Sequence, residues 1–145
     1  MKKNTIHNLL KRYYAFNEFR PGQEEIIQSI LDGRDTLAIM PTGGGKSLCY
    51  QLPALILEGI TLVISPLIAL MKDQVDVLRK RKIAASFINS SLTEKEVTKA
   101  IGEAMMGKTK ILYIAPERLN SDFSSVLREI PINFVAIDEA HCVST

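Results

Sequence analysis

With 145 residues, of which 46% are hydrophobic and 23% charged, the chain is the right size for one domain with a substantial core. Its formal charge of +2 is too small to imply a polyanion partner, and its two cysteines, Cys49 and Cys142, show no metal-ligand or disulfide pattern. No apolar stretch approaches the roughly 20 residues of a membrane helix, and Met1-Lys2-Lys3-Asn4 leads into a mixed segment rather than a signal peptide. A cytoplasmic protein with reduced thiols is expected.

In chain order, Ile6, Leu9, Leu10 and Tyr13 fall at helical spacing, with Asn4 or Thr5 expected as cap. An aromatic loop follows, from Tyr14 through Phe16 to Phe19 and Arg20. Pro21 suits the first turn of a second helix that buries Ile26, Ile27, Ile30 and Leu31 and stops at Gly33. Thr36 to Ile39 is an apolar strand running into Met40-Pro41-Thr42-Gly43-Gly44-Gly45-Lys46-Ser47. Glycines between a strand and a helix leave room for a phosphate at the backbone, and their N–H groups and the helix N-terminus favour an anion. Lys46 then suits the β- and γ-phosphates and the Ser47 hydroxyl a Mg²⁺ ion. Met40 stands where the general phosphate-loop pattern has Gly.

A helix from Ser47 to about Leu57 is expected, with Pro53 kinking or shortening it. Beyond it, strands and helices alternate. Ile60–Ile64 is a strand, Ser65-Pro66 a turn, Leu67–Lys80 a helix and Ala84–Ile88 a strand. Thr93-Glu94-Lys95-Glu96 is a capping box opening a helix that ends near Gly107. Ile111–Ala115 is a strand, Pro116 to about Ile130 a turn with a short helix, and Asn133–Ile137 the last strand. These strands are continuously apolar, as in an α/β fold whose parallel sheet carries helices on both faces. Ligands in such folds collect at the strands' carboxyl ends. The last strand ends in Asp138-Glu139-Ala140-His141, where Asp138 suits the Mg²⁺ shell and Glu139 the attacking water. The basic run Arg79-Lys80-Arg81-Lys82 reads as a solvated helix end whose cations complement the dipole.

The blocks Phe19-Arg20-Pro21-Gly22-Gln23, Met40 to Ser47, Ser65 to Gln74, Tyr113 to Leu119 and Asp138 to Ser144, in that order, together resemble the RecQ family of superfamily-two DNA helicases over nearly the whole chain. The resemblance implies a P-loop, RecA-like ATP-binding domain, here a part of the first such domain. Residues 1–35 would form its helical adenine-recognition segment. Met-Pro-Thr-Gly-Gly-Gly-Lys-Ser is common in that family, which accounts for Met40. The resemblance implies that Gln23 reads the adenine edge, for which its amide has a donor and an acceptor. Phe16 is then the candidate stacking ring, with Arg20 nearby; without the family, Phe16 and Phe19 read as core aromatics.

The resemblance implies DNA contact, through backbone, at Ser65, Pro66, Leu67, Pro116 and Arg118. Arg118 has two open readings: a phosphate contact, or a pair with an acidic residue of the domain. His141 either couples the γ-phosphate site to neighbouring polar groups or is a neutral surface histidine. The implied activity is an ATP- and Mg²⁺-dependent 3′→5′ DNA helicase with Lys46, Asp138, Glu139 and His141 at its catalytic centre. Family members continue past Cys-Val-Ser with Gln-Trp, where this chain has Thr145. A Ser-Ala-Thr strand and a second RecA-like domain with its arginine finger are also absent, so this piece alone is expected to be helicase-inactive and at best a feeble ATPase. The alternative is a module that binds nucleotide or DNA without turnover.

Overall fold

The computed structural model describes residues 3–33 and 46–137. They fall into two compact units that divide between Leu57 and Glu58.

The first unit holds three helices: α1 (Lys3–Tyr14), α2 (Gln23–Leu31) and α3 (Lys46–Ile56). Ile6, Leu10 and Tyr14 recur every fourth residue, so α1 presents one apolar stripe, which is buried with Ile27, Leu48 and Leu52. Asn4 and Thr5 lie inside α1, so neither caps it. Pro21 lies in the turn before α2, whose N-cap is Gly22 at φ 88°. Gly33, at φ 77°, closes α2 by donating its N–H to the Ile30 carbonyl. Pro53 does not end α3, which runs on to Ile56, with the Leu57 N–H bonded to the Pro53 carbonyl at 3.0 Å. A mid-helix proline costs about 3 kcal/mol. Burying Leu48 and Leu52 on the same helix returns about 1.5–3 kcal/mol each, which outweighs it.

The second unit is the α/β sheet. Its elements are β1 (Ile60–Ile64), α4 (Ile68–Lys80), β2 (Ala85–Ile88), α5 (Glu94–Met105), β3 (Ile111–Ile114), a 3₁₀ turn (Pro116–Arg118), α6 (Ser121–Leu127) and β4 (Ile132–Ile137). The strands are all parallel in the order β2-β3-β1-β4. All four residues of β3 are fully buried, so both faces of this central strand are covered, as its unbroken apolar run demands. Leu112 and Ile114 pack with Ala100 and Ala104 of α5 and Phe123 of α6. Met71, Val75 and Leu78 form the buried stripe of α4. The capping box forms as the sequence indicates: the Thr93 N–H donates to Glu96 Oε1 at 2.9 Å, and the Glu96 N–H to Thr93 Oγ1 at 3.2 Å.

Candidate functional site

In the first unit, the chain between α1 and α2 folds into a closed turn. The Arg20 N–H donates to Gln23 Oε1 at 2.8 Å, and the Gln23 N–H donates back to the Arg20 carbonyl at 3.1 Å. Gln23 is 2% exposed, so its amide is held by the backbone three residues upstream rather than solvated. One lone pair of its acceptor is therefore committed within the protein. Of the two aromatics before this turn, Phe19 packs edge-on to His7, with ring centroids 5.0 Å apart and planes at 73°. Phe16 is 52% exposed and is not a core ring. The Arg20 side chain is also exposed. The exposed Phe16 and the exposed Arg20 thus stand on the loop between α1 and α2, and the fixed amide of Gln23 on the first residue of α2.

The same unit contains the start of α3, where Lys46 is the first helical residue and Ser47 is partly exposed in the first turn. Further along α3, Gln51 accepts from the Tyr14 hydroxyl at 2.7 Å, tying α3 to the end of α1. The Cys49 thiol is buried, and burial pushes its pKa up to about 11. Thr42, Gly43, Gly44, Gly45, Asp138, Glu139 and His141 lie outside the described residues.

In the second unit, the carboxyl ends of adjacent parallel strands bring three loops together. Ser65, directly after β1, is buried; its N–H donates to the Ile114 carbonyl at the end of β3, and its Oγ accepts from the Leu67 N–H at 3.3 Å. Pro66 and Leu67 are therefore fixed in a hydroxyl-braced turn at the entrance to α4. After β3, Pro116 opens the 3₁₀ turn and Arg118 reaches across to the neighbouring strand end, donating to the Asn89 carbonyl at 3.0 Å. Among the described residues, then, the partner of Arg118 is a backbone carbonyl rather than an acidic side chain of the domain.

Asn89 and Ser91 were not anticipated from sequence. Asn89 is buried directly after β2; its Nδ2 donates to Met71 Sδ on α4, and its Oδ1 accepts from the N–H and hydroxyl of Ser91. Asn-Ser-Ser after an apolar strand and before a capping box was the available signal, since it occupies the same topological place as Ser65 and Pro116. One further polar group stands out: Glu24 Oε2, in the first turn of α2, is buried and has no hydrogen-bond partner among the described residues.

A cavity of about 500 Å³ lies at the opposite, amino end of the sheet, walled by Gly59, Lys110 and Pro131. Lys110 Nζ donates there to the Gly59 carbonyl at 3.2 Å, and burial lowers its pKa against the opposing pull of Glu58. This cavity is on the wrong side of the strands for chemistry at their carboxyl ends. No helix among the described residues is long and apolar enough to cross a membrane, and these residues contain no metal-ligating cluster.

The sequence profile of the DEAD/DEAH box helicases matches residues 20–145. The chain is 47% identical over 145 residues to the ATP-dependent DNA helicase RecQ of Haemophilus influenzae, covering 99% of this chain and 23% of that protein. It is 50% identical over 143 residues to the RecQ helicase of Bacillus subtilis, covering 97% of this chain and 24% of the relative. A probable ATP-dependent DNA helicase RecS of Bacillus subtilis is 44% identical over 141 residues. The chain thus spans about a quarter of the length of these curated relatives.

Proposed function

Because the chain belongs to the DEAD/DEAH box helicases, we propose that it is the nucleotide-gripping part of the first motor domain of an ATP-dependent 3′→5′ DNA helicase of RecQ type. The observation that carries this reading is the Arg20–Gln23 turn. It holds a buried amide at the start of α2, where the loop that carries the exposed ring of Phe16 ends, an arrangement suited to an adenine edge and face. Lys46 and the backbone of residues 42–45 would take the phosphates. Ser47 fits the Mg²⁺ role chemically, since it stands partly exposed in the first turn of α3, and Asp138 would complete the ion's shell. Glu139 would position the attacking water and His141 would link that site to its polar neighbours.

Ser65, Pro66, Leu67, Pro116 and Arg118 would meet the DNA backbone at the strand ends. In that case Arg118 exchanges its Asn89 carbonyl for a phosphate, which sets an ionised acceptor against the ionised donor. Unwinding would require parts beyond this stretch, and the chain alone would hydrolyse ATP slowly at most, because an arginine finger is worth roughly 10³–10⁵ in rate.

Thermal unfolding of the purified chain with Mg-ATP tests the reading. A ligand of the folded form raises its stability by RT ln(1 + [L]/Kd). The midpoint should rise, Lys46→Ala should remove most of the rise, and Phe16→Ala should weaken affinity about tenfold, the value of one stacked base. Nucleotide affinity unchanged in Lys46→Ala would overturn the assignment. Single-turnover hydrolysis then separates a slow ATPase from a module that binds without turnover.

A further inference from the structure

In the run Arg79 to Lys82, a helix end complementing its dipole accounts for Arg79 and Lys80, which fall in the last turn of α4. It does not account for Lys99 in the middle of α5, nor for Lys108 in the loop before β3. These come from separate elements, yet they line one groove of about 330 Å³ together with Arg79 and Glu103. Within the groove three cations face one carboxylate. Lys80 and Lys82, both exposed, follow Arg79 in the chain.

Arg79 is anchored. Its Nε donates to the Ala85 carbonyl at 2.9 Å and an Nη to Ser86 Oγ at 3.4 Å, on the outer strand β2. The groove's floor is therefore polar and preset, and its guanidinium is fixed with little further entropy to lose on binding. Lys99 and Glu103 stand one helical turn apart on α5, so they share a face. Ala84 and Thr109 place the groove at the amino ends of β2 and β3, opposite the loops that hold Ser65, Asn89 and Arg118.

We propose that this groove is an accessory contact for the phosphodiester backbone of a nucleic acid, separate from the strand-end loops. Its charge is complementary to a row of phosphates, and cations drawn from three elements into one polar groove give that charge a geometry that a lone helix end lacks. The proposal rests on the DNA reading for the identity of its occupant. Backbone contact of this kind carries no base preference.

The test is binding of a fluorescein-labelled oligothymidylate to the chain, followed by anisotropy across a salt series. The Lys99→Gln/Lys108→Gln variant should bind about five- to tenfold more weakly at low salt. Its log–log salt slope should be shallower by about 1.4, the loss of two phosphate neutralisations on a single strand. Glu103→Gln should bind more tightly than the parent, an effect of opposite sign that misfolding does not mimic. The Mg-ATP thermal shift should be unchanged in both variants. Oligothymidylate binding with a parental slope and affinity in both variants overturns the groove and leaves the DNA reading standing. No binding by the parent chain at low salt removes both.

Discussion

Two residues carry costs that their own chemistry exposes. Ala15, at the end of α1, has φ 59°, in the left-handed region that an L-residue with a Cβ enters at a cost of about 1–2 kcal/mol. The strain buys the turn that delivers Phe16 and Arg20 to the loop. Ala15→Gly should therefore stabilise the chain, by about 0.5–1 kcal/mol after the extra entropy glycine loses on folding. Urea unfolding reads this directly, and a destabilised variant would show that the conformation is not strained. Cys49 carries a cost of burial instead. Its thiol is pushed from the ordinary 9.0 to about 11, so between those values the folded chain keeps a proton that the unfolded chain releases. The contribution to stability is intact below pH 9.0 and is lost as pH rises through about 11. Stability measured across that window should fall more steeply in the parent than in Cys49→Ala. Parallel curves would mean that the thiol is not desolvated.

At the scale of elements, glycine separates backbone need from mere presence. Gly59, entering β1 at φ 92°, lies where an added Cβ would fall 2.4 Å from the Pro131 carbonyl oxygen. That carbonyl is already the acceptor for the Ile60 N–H at 2.8 Å, at the start of the β1–β4 pairing. Gly59→Ala should cost at least about 2 kcal/mol, through both dihedral strain and a broken register. Gly102 sits inside α5, where an added Cβ would meet nothing within 4 Å, so Gly102→Ala should add roughly 0.5–1 kcal/mol. Denaturant midpoints of the pair must move in opposite directions; a shared direction would contradict the packing described. The same contrast between local and tertiary need marks what was legible in the sequence. The capping box at Thr93, the helical spacing of Ile6 and Leu10, and the apolar runs of β1 and β3 are local patterns, and each formed where it was read. The α3 proline and the Asn89 network were settled by tertiary terms, burial around Leu52 and hydrogen bonds between separate strand ends, which no window of sequence contains. The same contrast holds at the candidate site. The local pattern left Phe16 open as a core ring or an exposed one, and its 52% exposure sets the core reading aside, whereas the partner of Arg118 depended on which strand became the neighbour of β3.

Across the whole molecule, the apolar strands do not share burial equally. Leu62 of β1 stands in register with Leu112 of β3 on one side and Val135 of β4 on the other. Residues in register in a parallel sheet point to the same face, so these three form one row. Leu62 and Leu112 are buried in the core with α5 and α6, yet Val135 is 49% exposed, and Ile137, in the row of Ile64 and Ile114, is 58% exposed. An expectation of uniform cover from an unbroken apolar run fails here because β4, among the described residues, pairs only with β1 and stands at the sheet's edge. The row predicts a gradient of energy along itself. Leu62→Ala should cost about 2–5 kcal/mol, because it empties a site closed on all sides. Val135→Thr, which keeps the shape and adds a hydroxyl that water can reach, should stay within about 0.5 kcal/mol of the parent. Urea unfolding of the two variants measures that gradient. If Val135→Thr proves as costly as a hydroxyl placed in a core, roughly 1–3 kcal/mol, then β4 is covered in solution and the edge assigned to it is wrong.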